Sequence, residues 1–236
     1  MIIKDIYNMT QEENIFCAKR ILVDSVYQQA NLEGIGVTFA DTQDILNNVN
    51  VDKVSPKDIS IVCCLRDGWK YLLDNISRPL DLVFLEDIHN IVARFDVDYQ
   101  YLGVIRYEDV LISGTTWRPE IPSNLDIDVL CDKLSRIDLN NITDYAVELG
   151  LFIMRMQPFK DGNKRVGSFV INKILIENGK GIFNVPIKHD GSFKEQLVNY
   201  YESNDTSSLK CFILDNCLTG TSKVLQEKFV YKKNGR

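Results

Sequence analysis

The sequence predicts a mainly α-helical protein with one short β-hairpin, on three observations. Apolar residues recur at helical spacing along most of the chain, cap residues open several of those runs, and only residues 103–112 read as paired strands. Thr10-Gln11-Glu12-Glu13 is a capping box, and Ile15, Ala18, Leu22 and Val26 carry its helix toward residue 30. Ser55-Pro56 supplies a cap and a first-turn proline for a helix through Val62, Leu65, Trp69 and Leu72. A further helix spans about 82–94. Gly103-Val104-Ile105-Arg106 and Val110-Leu111-Ile112 then flank Tyr107-Glu108-Asp109 as a hairpin, followed by an extended run to Pro119. A lone hairpin is marginal in water, so this one must lean on helices.

Downstream, a helix over 126–136 carries Ile127, Leu130 and Leu134 on one face. Ile142, Tyr145, Ala146, Leu149, Phe152, Ile153 and Met156 mark the next. Val166, Phe169, Val170 and Ile174 mark another, which stops at Asn178-Gly179. Helices over 192–204 and 207–217 are expected to start on Ser192 and Ser207. With no repeat, linker or low-complexity tract, residues 1–236 read as a single domain.

The charge of −6 and the absence of a basic stripe argue against nucleic acid. Neither a membrane span nor a signal-peptide pattern is visible, and cytoplasmic residence is expected. The cysteines (17, 63, 64, 131, 211 and 217) lack zinc-site spacing and read as buried thiols of a reducing compartment. No Gly-x-x-x-x-Gly-Lys-Ser/Thr run is present, which excludes a P-loop kinase.

The chemistry concentrates in Gln157-Pro158-Phe159-Lys160-Asp161-Gly162-Asn163-Lys164-Arg165, a polar loop between two apolar helices. Asp, Gly and Asn also make ordinary turns, so the composition alone fits a plain connection. Asn163 opens the second helix, where free N–H groups and the helix dipole favour an anion. Asp161 is suited to a hard divalent cation, and Lys164 and Arg165 to phosphate oxygens.

This run resembles the signature of the Fic (Fido) family, His-x-Phe-x-Asp/Glu-Gly-Asn-Gly-Arg-x-x-Arg. Phe159, Asp161, Gly162, Asn163 and Arg165 match it, whereas Gln157 replaces the histidine, Lys164 the second glycine and Ser168 the last arginine. The resemblance runs in order over residues 82–217. Leu85-Glu86-Asp87-Ile88-His89 resembles the family's helix ending near a histidine. Gly103 to Pro122 is similar to its flap hairpin, including Gly114, Thr115, Thr116 and Trp117, and Tyr200 to Leu214 is similar to its closing helices. Within residues 10–50, Gln29-Ala30-Asn31-Leu32-Glu33-Gly34 resembles the family's inhibitory segment, with Gln29 where Ser or Thr is expected. Glu33-Gly34 also reads as a helix end with Gly34 as its left-handed cap, and both readings hold together.

The resemblance implies a Fic-type helical bundle that binds ATP and Mg²⁺ and moves AMP to a protein hydroxyl. It assigns Mg²⁺ to Asp161, the phosphates to Gly162, Asn163, Lys164 and Arg165, inhibition to Glu33, and target docking to the flap. Gln157 cannot act as a base, so weak or absent AMP transfer is expected. His89 and His189 read as core or surface histidines rather than substitutes for it. Two alternatives stand beside this expectation. One is an interaction module without catalysis; the other is an enzyme of different phosphate chemistry, including removal of AMP. The target, activity and homo-oligomerisation are left open.

Overall fold

The computed structural model describes residues 2–138 and 140–221. In chain order the helices are α1 (Gln11–Arg20), α2 (Leu22–Leu32), α3 (Phe39–Leu46), α4 (Pro56–Asp74), α5 (Leu82–Val92), α6 (Asn124–Ser135), α7 (Ile142–Met156), α8 (Asn163–Glu177), α9 (Asp190–Ser203) and α10 (Ser207–Asn216). Strand β1 (Ile182–Phe183) pairs antiparallel with β2 (Leu218–Thr219), Ile182 facing Thr219 and Phe183 facing Leu218. The expected mainly helical class, with a single two-stranded antiparallel pair among the described residues, is what the fold shows.

Helix α8 is the axis. Every residue from Val166 to Ile176 is buried, as expected of a helix covered on all sides. Helix α7 folds back on it through the 157–162 loop, and α1, α4 and α5 pack around its remaining faces. The α7–α8 contact is made backbone to backbone. A Cβ on Gly150 would stand 2.3 Å from Ile171 Cγ1, and one on Gly167 would stand 2.6 Å from the Gly150 carbonyl oxygen. Polar residues inside α8 are bonded: the Asn172 side chain accepts from the Phe183 N–H (2.8 Å) and donates to the Phe183 carbonyl (2.9 Å), fixing β1 on the helix. The Lys173 ammonium reaches the Ile76 carbonyl and Glu177. On the α4 side, Trp69 donates to Gln29 Oε1 (2.9 Å) and meets Phe169 edge to face, joining α2, α4 and α8.

Most elements lie where the apolar spacing puts them, with four corrections. The strand pair is not at 103–112; that segment runs extended without a ladder. Its Tyr107-Glu108-Asp109 turn contains no Gly or Asn to take the positive φ that tight hairpin turns require, and the positive-φ glycines lie outside it at 103 and 114. The first helix is divided at Ile21 (φ −102°, ψ 15°). Ser192 and Ser207 are not caps: they lie inside α9 and α10, and Asp205 Oδ1 accepts from the Ser207 N–H (2.9 Å). Of the six cysteines only Cys64 and Cys217 are buried outright. Helix α3 was not anticipated, although Thr38 and Asp41 form its capping box.

Gly150→Ala is expected to destabilise the fold by about 1–3 kcal/mol, because the added methyl meets Ile171 and α8 backbone. Gly36→Ala, with nothing within 4 Å of the new Cβ, serves as the control and should change stability by less than about 0.5 kcal/mol. Guanidinium unfolding midpoints measure both, and equal midpoints would contradict the close helix approach.

Candidate functional site

Two left-handed residues bracket the loop: Gln157 (φ 51°, ψ 61°) ends α7 and Gly162 (φ 74°) precedes α8. Directly after Gly162, Asn163 acts as a staple across the loop. Its Oδ1 accepts from the Phe159 N–H (2.9 Å), and its Nδ2 donates to the Phe159 carbonyl (2.8 Å) and to Gln157 Oε1 (2.8 Å). The Asn163 side chain is thus spent on the loop, and what it leaves for a ligand is the uncapped start of α8. Gln157 Nε2 donates to the Met154 carbonyl, so both ends of its amide are engaged.

Two buried residues hold this loop from below. Arg106 donates from its backbone to the Pro158 carbonyl (2.8 Å). Its guanidinium meets the carbonyls of Gln157, Glu108, Pro119 and Glu120. These bonds replace a hairpin ladder and bind the 103–120 segment to the loop. Burial pulls the Arg106 pKa below the usual guanidinium value. His89 stacks on Phe159 with ring centroids 4.0 Å apart and planes 7° from parallel. Its Nδ1 accepts from the Gly103 N–H (2.9 Å), so the ring proton sits on Nε2, which donates to the Asp161 carbonyl (3.1 Å). Desolvation pushes the imidazole down to about 4, against a weaker upward pull from that carbonyl. His89 is a neutral core residue, as expected, and His189 lies far along the chain against Phe212.

Above the loop opens a cavity of about 980 Å³. Gln157, Asp161, Gly162, Asn163 and Lys164 form one wall, and Glu33 with Gly34 closes one side. Residues 109–114 and α9, through Leu197, Val198 and Tyr201, form the rest. Gly114 is therefore on the rim. Thr115 and Trp117 line a separate groove of about 250 Å³ instead. Glu202 straps this segment to α9, accepting from the Thr115 hydroxyl (2.9 Å) and the Thr116 N–H (3.4 Å), while Arg155 covers the Trp117 ring at 3.9 Å.

The cations divide. Lys164 faces the cavity and meets Glu33 Oε1 (3.2 Å) and the Leu32 carbonyl (3.1 Å). Arg165 turns away; it is buried, paired with Asp96 and the Val92 carbonyl, and its Nε lies 3.5 Å from Glu33 Oε2. It supports Glu33 from behind and does not line the cavity, contrary to its expected place at the phosphates. Ser168, at the position of the missing arginine, folds its hydroxyl back to the Lys164 carbonyl (2.9 Å). Glu33 is placed by the end of α2. Gly34 (φ 83°) turns the chain, and the Ile35 N–H returns to the Ala30 carbonyl (3.0 Å). The cap reading and the contact with the loop hold at once.

Asp161 is exposed, with Oδ1 accepting from the Gly162 N–H and lying 3.9 Å from Arg165 Nη2. No cluster of three metal-binding side chains occurs among the described residues. A single carboxylate suits Mg²⁺ only together with phosphate and water ligands. Sequence reasoning missed Arg106, whose partners are backbone carbonyls with no side-chain signal, and the Lys194, Leu197 and Val198 wall, which carries no motif.

Because His89 titrates near 4 folded and near 6.5 unfolded, the unfolded chain binds more protons between those values. Stability is therefore full above pH 6.5 and falls as the pH drops toward 4, by on the order of 3 kcal/mol. His89→Gln should flatten that slope in urea melts at pH 7, 6 and 5, whereas an unchanged slope would place the titration elsewhere.

Residues 79–175 match the Fic/DOC family model. The chain is 25% identical over 173 residues to "Protein adenylyltransferase Fic" of Culex quinquefasciatus, covering 68% of this chain but only 33% of that protein. It thus spans about a third of the length of that curated relative. Among solved structures, a segment of Fic-1 from C. elegans superposes with a TM-score of 0.70 at 17% identity, over 85% of this chain and 62% of that one. A Fic-domain-containing signaling protein from Bacteroides thetaiotaomicron gives 0.71 at 17% identity, over 88% and 87%. The stretch that matches the Fic/DOC family model runs from the approach to α5 through most of α8, and the helical fold around it is shared by these solved Fic structures.

Proposed function

We propose that the chain binds a nucleotide in the cavity above the 157–163 loop and transfers AMP weakly or not at all. The observation that carries this reading is Gln157, which stands where the family signature has its base and whose amide is already bonded at both ends.

The start of α8 has no side-chain cap, so its first N–H groups are free to hold a phosphate, aided by the helix dipole. Lys164 would pair with the same phosphates once Glu33 lets it go. Asp161 would hold Mg²⁺ alongside them, and that ion would neutralise phosphate charge when bound. Residues 109–114 line the cavity rim, where a target segment would dock. What is missing is a group to take the hydroxyl proton, and losing a general base costs roughly 10²–10⁴ in rate. Cytoplasmic residence completes the reading.

A second reading, a binding module without catalysis, draws on the self-pairing of the cavity cations. Lys160 meets Glu108 (2.5 Å), Lys164 meets Glu33 (3.2 Å) and Lys194 meets Asp190 (2.8 Å). Calorimetry with ATP and Mg²⁺ separates the two. We expect binding to strengthen at least about tenfold in Glu33→Gly and to weaken in Asp161→Ala. No heat in either chain would leave the binding module. With labelled ATP, Gln157→His should raise AMP transfer, to itself or to added protein, at least about a hundredfold over the unaltered chain. Robust transfer by the unaltered chain would overturn the claim of a missing base.

A further inference from the structure

Beyond the bend at Glu108, exposure alternates along the rim: Asp109 and Leu111 are exposed, whereas Val110 and Ile112 are partly covered. That is the two-residue period of an extended chain. No N–H or carbonyl of residues 109–112 is hydrogen-bonded among the described residues, so this backbone edge is open. Leu111 is 74% exposed and borders both the cavity and the smaller groove. Asp109 has no hydrogen-bond or ion-pair partner among the described residues. Arg106 lies within electrostatic reach of it but is spent on carbonyls. The lysines that line the cavity are taken: Lys160 by Glu108, Lys164 by Glu33 and Lys194 by Asp190. Arg118 lies past the turn at Gly114, in the smaller groove. Just before the bend, the Tyr101 and Tyr107 rings stand 6.0 Å apart, and the Lys160 ammonium lies 5.4 Å from the Tyr101 ring. Tyr107 is 59% exposed and offers a second cation the same kind of contact.

We propose that residues 109–112 select a target segment carrying a lysine or arginine two positions from an apolar residue. The inference rests on the reading that a target docks along this rim, and it specifies that target's chemistry. A target chain added to the open edge pairs its backbone with residues 109–112. Side chains directly opposite one another in such a pair interact, and opposite charges there stabilise it. The residue facing Asp109 meets an unpaired carboxylate, and the residue facing Leu111 covers apolar surface that is otherwise wet. Because side chains alternate, both target residues share one face and stand two positions apart, whichever way the target chain runs. An acidic residue facing Asp109 is repelled.

The test is fluorescence anisotropy of the whole chain with short labelled peptides that contain serine and valine. They differ only two positions from the valine, where one carries lysine, one glutamine and one glutamate. The lysine peptide is expected to bind at least about tenfold more tightly than the glutamate peptide at low salt, with the glutamine peptide between them. Asp109→Asn should bring the three together. Asp74→Asn makes the same charge change at the end of α4, beside the Ile76 carbonyl that Lys173 holds far along α8 from the loop, and should leave the preference intact. Equal binding of the three peptides, a preference that Asp109→Asn leaves untouched, or an equal loss in Asp74→Asn overturns the proposal while leaving docking at the rim standing. No binding of any peptide overturns docking at the rim and this inference with it, and leaves the nucleotide reading to its own titration.

Discussion

The geometry of the site depends on how closely α7 and α8 approach. At Gly150 and Gly167 the two backbones touch, with no room for a Cβ on either. That approach sets the distance the 157–162 loop must span, and the loop takes left-handed dihedrals at both ends. Gly162 adopts its positive φ at no steric cost, whereas Gln157 does so against the usual preference of a residue with a side chain. The bonds that hold Gln157 there come from Asn163, from its own helix and from Arg106. Close packing in the core is thereby converted into a fixed backbone at the cavity floor.

Arg106 extends the same rigidity outward. One guanidinium satisfies carbonyls of the loop and of residues 108–120 that would otherwise need a β-ladder. A buried arginine costs desolvation, and several carbonyl partners in the right geometry offset it. The cavity rim is held to its floor by Arg106 from below and by Lys160 meeting Glu108, with Glu202 fastening the far end of the segment to α9. The extended segment keeps its place without being a strand.

Helix positions were legible because burial in a helical bundle writes a period into the sequence. α7 and α8 show it, as does the Asn178-Gly179 stop, where Gly179 takes φ 70°. Gly34 was legible for a local reason, since only the turn at the end of α2 decides it. What could not be read was long-range. Arg106 and Arg165 look alike as isolated cations, yet Arg165 is buried against partners about 70 residues away and Arg106 joins the Gln157 carbonyl to carbonyls of its own segment, and neither faces the cavity. The 103–112 run alternates well enough for strands, but its backbone bonds are taken by a guanidinium and a loop carbonyl, which no local pattern announces. Asn163 was placed correctly at the head of α8, while the direction of its side chain followed from Phe159 and Gln157 closing on it.

The substitutions in the loop make sense together rather than one at a time. With Ser168 in place of an arginine, Glu33 has no cation further along α8, and it settles on Lys164 with Arg165 behind it. Lys164 is thus both the loop's forward cation and the group that keeps Glu33 over the cavity. The pair is partly buried, so its strength depends on what replaces each partner when it opens. A phosphate at the start of α8 compensates Lys164, but the freed Glu33 must then find water or Arg165. Glu33 already lies 3.5 Å from that buried guanidinium, so the exchange needs only a short movement of one carboxylate. On the proposed reading, the loop without the signature histidine would still have a means of admitting an anion, and binding and proton removal would be separable.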